Sequence, residues 1–195
     1  MLFESSRIYL RKMTEADVEL YHQWRNDMAV MQTTSPHLEL VSLEDTRQFV
    51  TQVILGSNTS KNYMIVDKEN HEAVGITAIV HMDDKNRNGE CILELGNKAY
   101  WGKGYGTEAL QLLLHYAFLE CNLHRMALRV FSFNDRAIRL YHKLGFKQEG
   151  ISRQSIYREG QWHDIIHMGM LQEEYRAAIV HEAMISDERS RSVCK

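Results

Sequence analysis

Proline is almost missing from this sequence. Pro36 is its single instance, and no Ser-, Gly- or Pro-rich stretch or internal repeat interrupts the chain. Without a linker, the 195 residues read as one folding unit long enough to bury a sizeable core. Cysteine is scarce too: Cys91, Cys121 and Cys194 are too few and too scattered for a disulfide framework or a C-x-x-C metal site, so reduced, non-ligating thiols are expected. No run reaches the ~18 apolar residues of a membrane span, and Met1 to Arg11 alternates without the apolar centre of a secretory leader. The expectation is a soluble, cytoplasmic protein that does not bind membranes. Neither sign of charge dominates, with 23 Lys and Arg against 26 Asp and Glu, and the basic clustering of a nucleic-acid partner is lacking.

Ten histidines raise the question of a metal. His163 and His167 would share one face of a helix, but Gln161 to Leu171 reads as a strand, and neither His-Glu-x-x-His nor a Cys/His cluster occurs. No metal is expected.

Periodicity lays out the elements that are there. Arg7 to Arg11 alternates as a first strand. Thr14 with Asp17 resembles a capping arrangement ahead of Val18, Leu20, Tyr21 and Trp24, and Ser42 can cap a second helix running to Gly56. Met28 to Leu40 reads as irregular. Strands follow at Tyr63 to Val66, Ala73 to His81 and Glu90 to Leu95, then a helix with Leu110, Leu113, Leu114, Ala117 and Phe118 inward. Met126 to Phe133 is a strand, Asn134 starts a helix that Gly145 ends, and Ile151 to Tyr157 and Trp162 to Leu171 close the set. The order β-α-α-β-β-β-α-β-α-β-β predicts a mixed α/β fold, a largely antiparallel sheet flanked by helices, over residues 1–175. A polar tail is expected at 176–195.

Between the third of those middle strands and its helix lies Trp101-Gly102-Lys103-Gly104-Tyr105-Gly106-Thr107. Alternate glycines let backbone amides approach a ligand closely, and the helix that follows turns its positive end to the same place, so a bound pyrophosphate is the natural occupant. Neither the P-loop spacing nor G-x-G-x-x-G is present, which favours a nucleotide-bearing cofactor other than ATP or NAD.

This turn together with Tyr100 and Glu108-Ala109, the segment Asn134 to Phe146, and the start with Arg7 to Arg11 and Trp24-Arg25-Asn26-Asp27 resemble the GNAT superfamily of acetyl-CoA-dependent N-acetyltransferases. The likeness covers about residues 7–175 and points to the branch with ribosomal-protein N-terminal and spermidine acetyltransferases. Trp101 stands where the family often has Gln or Arg. The resemblance implies acetyl-CoA as co-substrate, held by Trp101, Gly102, Lys103, Gly104, Tyr105, Gly106 and Thr107 at the diphosphate. It further implies that backbone groups of Leu93, Glu94 and Leu95 pair with the pantetheine arm, with Asn134 and Lys143 also on the cofactor. Asn134 has a second reading as a helix cap. The resemblance implies that Tyr141 protonates the departing thiolate. A base is needed as well, and Glu90, Glu94, His81 and Glu39 each remain open. Trp24, Tyr157 and His163 are candidates for an acceptor groove. The acceptor is expected to be a small amine or polyamine, or a peptide N-terminus; a homodimer is expected by analogy, and a non-catalytic acyl-CoA sensor is the alternative class.

Overall fold

In the computed structural model, residues 2–180 are described. Seven strands form one sheet: β1 (Ile8–Lys12), β2 (Lys61–Asp67), β3 (Ala73–Asp83), β4 (Asn88–Glu94), β5 (Arg125–Phe131), β6 (Lys147–Arg158) and β7 (Gln161–Leu171). Their order across the sheet is β1-β2-β3-β4-β5-β7-β6, antiparallel everywhere except between β4 and β5. The helices are α1 (Val18–Arg25), α2 (Met28–Thr34), α3 (Leu43–Gln48), α4 (Tyr105–His115), α5 (Asp135–Lys143) and α6 (172–180). A π-helical extension, Phe49–Leu55, prolongs α3, and another, Tyr116–Glu120, prolongs α4.

Both faces of the sheet are covered, and the alternation of β2 displays it. Tyr63 and Ile65 join the core beneath α4 and α5, whereas Met64 and Val66 join a smaller core beneath α1 and the α3 extension. On α4 and its extension the apolar residues fall at helical spacing, and Leu110, Leu113, Leu114, Ala117 and Phe118 are all buried. Each large one contributes about 1.5–3 kcal/mol by leaving water.

The elements expected from the sequence are present, with two additions, α2 and α6. Met28 to Leu40, expected to be irregular, begins with the helix α2. Its sequence MAVMQTT carries three β-branched residues and is a weak helix former. It is held by the Asp27 carboxylate, which accepts from the Ala29 N–H at 2.9 Å, and by the burial of Val30 and Met31. At the other end, residues 176–180 continue α6; the rest of the expected polar tail lies outside the described residues.

One irregularity positions the site. β4 and β5 pair only at Asn88 with Arg125, Gly89 with Met126, and Glu90 with Ala127. β4 nevertheless stays on β3 as far as Glu94, opposite Ile76, and β5 stays on β7 as far as Phe131, opposite Ile165. The sheet therefore opens as a V from Cys91 and Leu128 onward, with unpaired strand edges facing each other.

Candidate active site

The V leads into a cavity of about 540 Å³ whose walls come from the ends of β4 and β5, the glycine turn, α4, α5 and α2. The turn is fixed from several sides. Trp101 folds back and donates its indole N–H to the Leu95 carbonyl at 2.7 Å. Arg7 donates to the Lys103 carbonyl at 3.0 Å and to Glu108 at 3.1 Å. Tyr105 donates its hydroxyl to Asp67, whose carboxylate holds the phenol up at about 12.

Gly102 and Gly104 have φ of +74° and +88°, a backbone region that residues with a Cβ rarely occupy. Nothing lies within 4 Å of where a Cβ on Gly102 would point. The first helical bond runs from the Glu108 N–H to the Gly104 carbonyl at 3.1 Å, so the amides of Tyr105, Gly106 and Thr107 have no partner within α4. Arg136 lies 4.2 Å above the Trp101 ring, and both it and Lys143 line the cavity. Open backbone at the turn, a helix N-terminus and two cations suit a diphosphate, while the unpaired edges suit an arm that carries amides. On these grounds the residues fit acetyl-CoA.

Of the residues named from the sequence, Leu93, Glu94, Leu95, Trp101, Gly102, Gly104, Gly106, Thr107, Asn134, Tyr141 and Lys143 are brought together on this cavity. The side chains of Lys103 and Tyr105 do not line it: the Lys103 ammonium lies 6.0 Å from the Tyr100 ring, and the Tyr105 phenol is turned to Asp67. Asn134 caps α5, accepting from the Ala137 N–H at 3.2 Å, and also borders the cavity, so its two readings coexist.

Tyr141 is buried on α5, with its ring edge-on to Phe146 at 6.0 Å. Burial raises its phenol well above the usual value, and the Cys91 thiol beside it adds to the effect. Cys91 itself is pushed up strongly by burial. The pocket at the foot of the V thus disfavours negative charge on sulfur and phenol alike.

Glu94 sits at the open end of β4, and its Oε1 is buried without a hydrogen-bond partner. Burial raises its carboxyl to about 7, with the positive charge of Arg25 acting in the opposite direction. The other base candidates differ. Glu90 accepts from Arg129 at 2.8 Å and lies 3.3 Å from the His81 ring nitrogen. His81 and Glu39 are outside the cavity, and Glu39 borders a separate depression with Tyr157 and Arg158.

The proposed groove of Trp24, Tyr157 and His163 is not formed. Trp24 is buried against Gly96, Tyr157 meets Trp162 at 5.1 Å on the β6–β7 hairpin, and His163 meets Phe133 at 4.9 Å. The outer wall consists instead of Val30, Thr33, Thr34 and Pro36, from a segment whose sequence gives no helical signal. Arg136 is legible in the Asn134 segment as a cation two residues past the cap. Among the described residues no His, Cys, Asp and Glu cluster stands close enough to hold a metal, and no helix is long and apolar enough to cross a membrane.

Comparison with known proteins places this geometry. Residues 7–147 match the family model described as an acetyltransferase (GNAT) domain. The N-acetyltransferase p20 of Bacillus licheniformis, itself uncharacterized, is 29% identical over 88% of this chain and 96% of its own. The spermidine N(1)-acetyltransferase of Escherichia coli is 28% identical over 87% of this chain and 89% of its own. The crystal structure of the Vibrio cholerae spermidine N-acetyltransferase with CoA and spermine superposes with a TM-score of 0.80, covering 88% of this chain and 99% of that one. At 23% identity, this last likeness speaks for the fold. The acyl-CoA sensor alternative finds no support among these matches.

Proposed function

The chain belongs to the GNAT family and is an N-acetyltransferase that uses acetyl-CoA; from that premise we propose that a primary amine attacks the thioester directly in a ternary complex, with Glu94 as base and Tyr141 as acid. The observation that carries the reading is their placement on opposite faces of β4. Cys91, Leu93 and Leu95 pack with the α4–α5 core that holds Tyr141, whereas Glu94 lies on the face of Arg25 and α1. Cofactor and acceptor then meet through the V from opposite sides.

An amine at neutral pH arrives protonated, with a reference pKa of ~8 for an α-amine or ~10 for a lysine-like one. The Glu94 carboxylate accepts that proton. At about 7 it is basic enough to compete and still ionised in a useful fraction at neutral pH. As the tetrahedral centre forms, an unpaired N–H on the β4 edge stabilises its oxyanion. Tyr141 then donates its proton to the leaving sulfur. A phenol is a weak donor to an ordinary thiolate, whose reference pKa is ~8.5. The sulfur departs into the surroundings that push up the Cys91 thiol, where a thiolate is more basic than in water; the same burial raises the Tyr141 phenol, so donor and acceptor stay about as closely matched as in water.

For the acceptor, the spermidine acetyltransferases among the relatives support a polyamine. A peptide N-terminus is the second reading, favoured because Glu90, the other carboxylate on the cavity, is already paired with Arg129. Only Glu94 is then left for an ammonium. CoA release measured against spermidine, spermine, monoamines and N-terminal peptides tests both. A polyamine reading requires kcat/KM at least about tenfold above that for simple monoamines of similar length; the highest kcat/KM on N-terminal peptides supports the peptide reading, and a stoichiometric burst of CoA before any amine is added overturns the proposed direct attack.

A further inference from the structure

We propose that Arg25 is a positioning residue for this transfer: held short of Glu94, its guanidinium tunes the carboxylate as a base without occupying it. The inference rests on the reading of Glu94 as the base. Two buried polar atoms of opposite charge carry it. Glu94 Oε1 and Arg25 Nη1 each lack a hydrogen-bond partner, although they belong to groups close enough to interact electrostatically. Burying either atom unpaired is costly, and an ion pair between them would relieve both. Something keeps them apart.

The restraint is visible around α1. The Arg25 guanidinium lies over the Phe49 ring at 4.7 Å and near the Tyr21 ring at 5.8 Å, so two aromatic faces hold it. Its neighbour Trp24 presses on Gly96, two residues beyond Glu94; a Cβ there would come within 2.0 Å of the indole. On the other side, the Asn26 carboxamide accepts from the Val41 N–H at 2.9 Å and donates to the Val41 carbonyl at 3.1 Å. Arg25 is thus bracketed by fixed neighbours, and its reach toward β4 is set by the end of α1.

The other charged and titratable groups nearby are already engaged. Glu90 is held by Arg129 and His81 on β5 and β3, Asp27 by Lys98, and Asp45 on α3 by Ser42 at 2.6 Å. His22 on α1 meets the Thr46 hydroxyl at 3.1 Å. Tyr21 stays protonated, because burial and the Glu94 charge raise its phenol. That leaves the guanidinium as the charge that favours an ionised Glu94. A direct ion pair would depress a carboxylate by roughly 1–3 units and fill the oxygen that must receive a proton. Burial with no countercharge would leave it protonated at working pH. A cation held off satisfies both demands.

The test is the pH profile of kcat/KM for wild type, Arg25→Met, Arg25→Gln, Arg25→Lys and Glu94→Gln, with a direct carboxyl titration of Glu94 by NMR as a readout independent of turnover. The neutral variants should move the acidic limb up by about one unit, costing roughly tenfold below the limb and little at alkaline pH. Arg25→Lys should keep the limb near its original position. A uniform loss at all pH values, with the limb and the Glu94 titration unmoved in a folded neutral variant, would show a merely structural role and overturn the proposal. Should Glu94→Gln retain the acidic limb, the base assignment fails, and this inference with it. If Glu94→Gln removes the limb while the neutral Arg25 variants leave it in place, Arg25 alone is refuted.

Discussion

Beneath α4 and α5 the sheet is sealed by a continuous apolar core running from Ile8 to Met170 in which Leu110, Leu113 and Phe118 are fully buried, whereas beneath α1 and the α3 extension a smaller core contains unpaired charge. The first face carries the glycine turn, Tyr141 and the cations fitted to acetyl-CoA; the second carries Glu94, Arg25 and the wall of α2. The contrast follows from what each face must hold. A cofactor of constant shape is met by backbone amides and a packed core, which supply a rigid frame. An amine that must lose a proton calls for a carboxylate kept away from water and from a full ion pair, an arrangement that lowers stability.

The comparison is broken most directly at Glu94. Glu94→Gln should lower kcat by about 100-fold or more and at the same time stabilise the fold. The sign follows from the raised carboxyl. With a folded value of about 7 against 4.5 for an ordinary glutamate, the native state holds its proton more tightly, so stability is full below about 4.5 and falls as pH rises through 7. The variant should lose that fall and gain on the order of 2 kcal/mol at pH 8, measured by denaturant unfolding at several pH values. A variant no more stable than wild type at pH 8 would mean that Glu94 is not strained.

On the other face, Tyr141→Phe should lower kcat by roughly 10- to 100-fold while acetyl-CoA affinity changes little, read by single-turnover kinetics and calorimetry. Unchanged turnover, with chemistry limiting the rate, would remove Tyr141 as the acid. The smallest effect is expected at Gly96→Ala. Its Cβ would overlap the Trp24 indole at 2.0 Å, so the melting temperature should fall by an amount corresponding to about 1–3 kcal/mol. KM should rise for the amine and stay near wild type for acetyl-CoA. Equal rises for both substrates would mean that the two faces do not work as separate units.

How far each face was legible differs in the same way. On the cofactor face the signals are local: glycine spacing, an asparagine cap, and the helical spacing of Leu110, Leu113 and Leu114 are all contained in short stretches of chain. Asn134 and Gly145 bound α5 where the sequence suggested, Gly145 with φ of +96°. On the acceptor face the local signals mislead or are silent. α2 has weak propensity and forms because Asp27 caps it and Val30 and Met31 are buried. Trp24 reads equally as core or groove, and the contact with Gly96 decides for core. The four base candidates are alike as sequence; they separate only when Arg129 takes Glu90 and β4 ends with Glu94 turned into the cavity.

The family, the order of the strands and of every helix but α2 and α6, and the backbone chemistry of the glycine turn could be read from the chain alone, because each depends on residues close together along it. Where β4 leaves β5, which carboxylate stays unpaired, and which arginine stands near it were decided by tertiary structure alone. Those outcomes depend on distant segments competing for the same space and the same countercharges, and periodicity and spacing do not encode that competition.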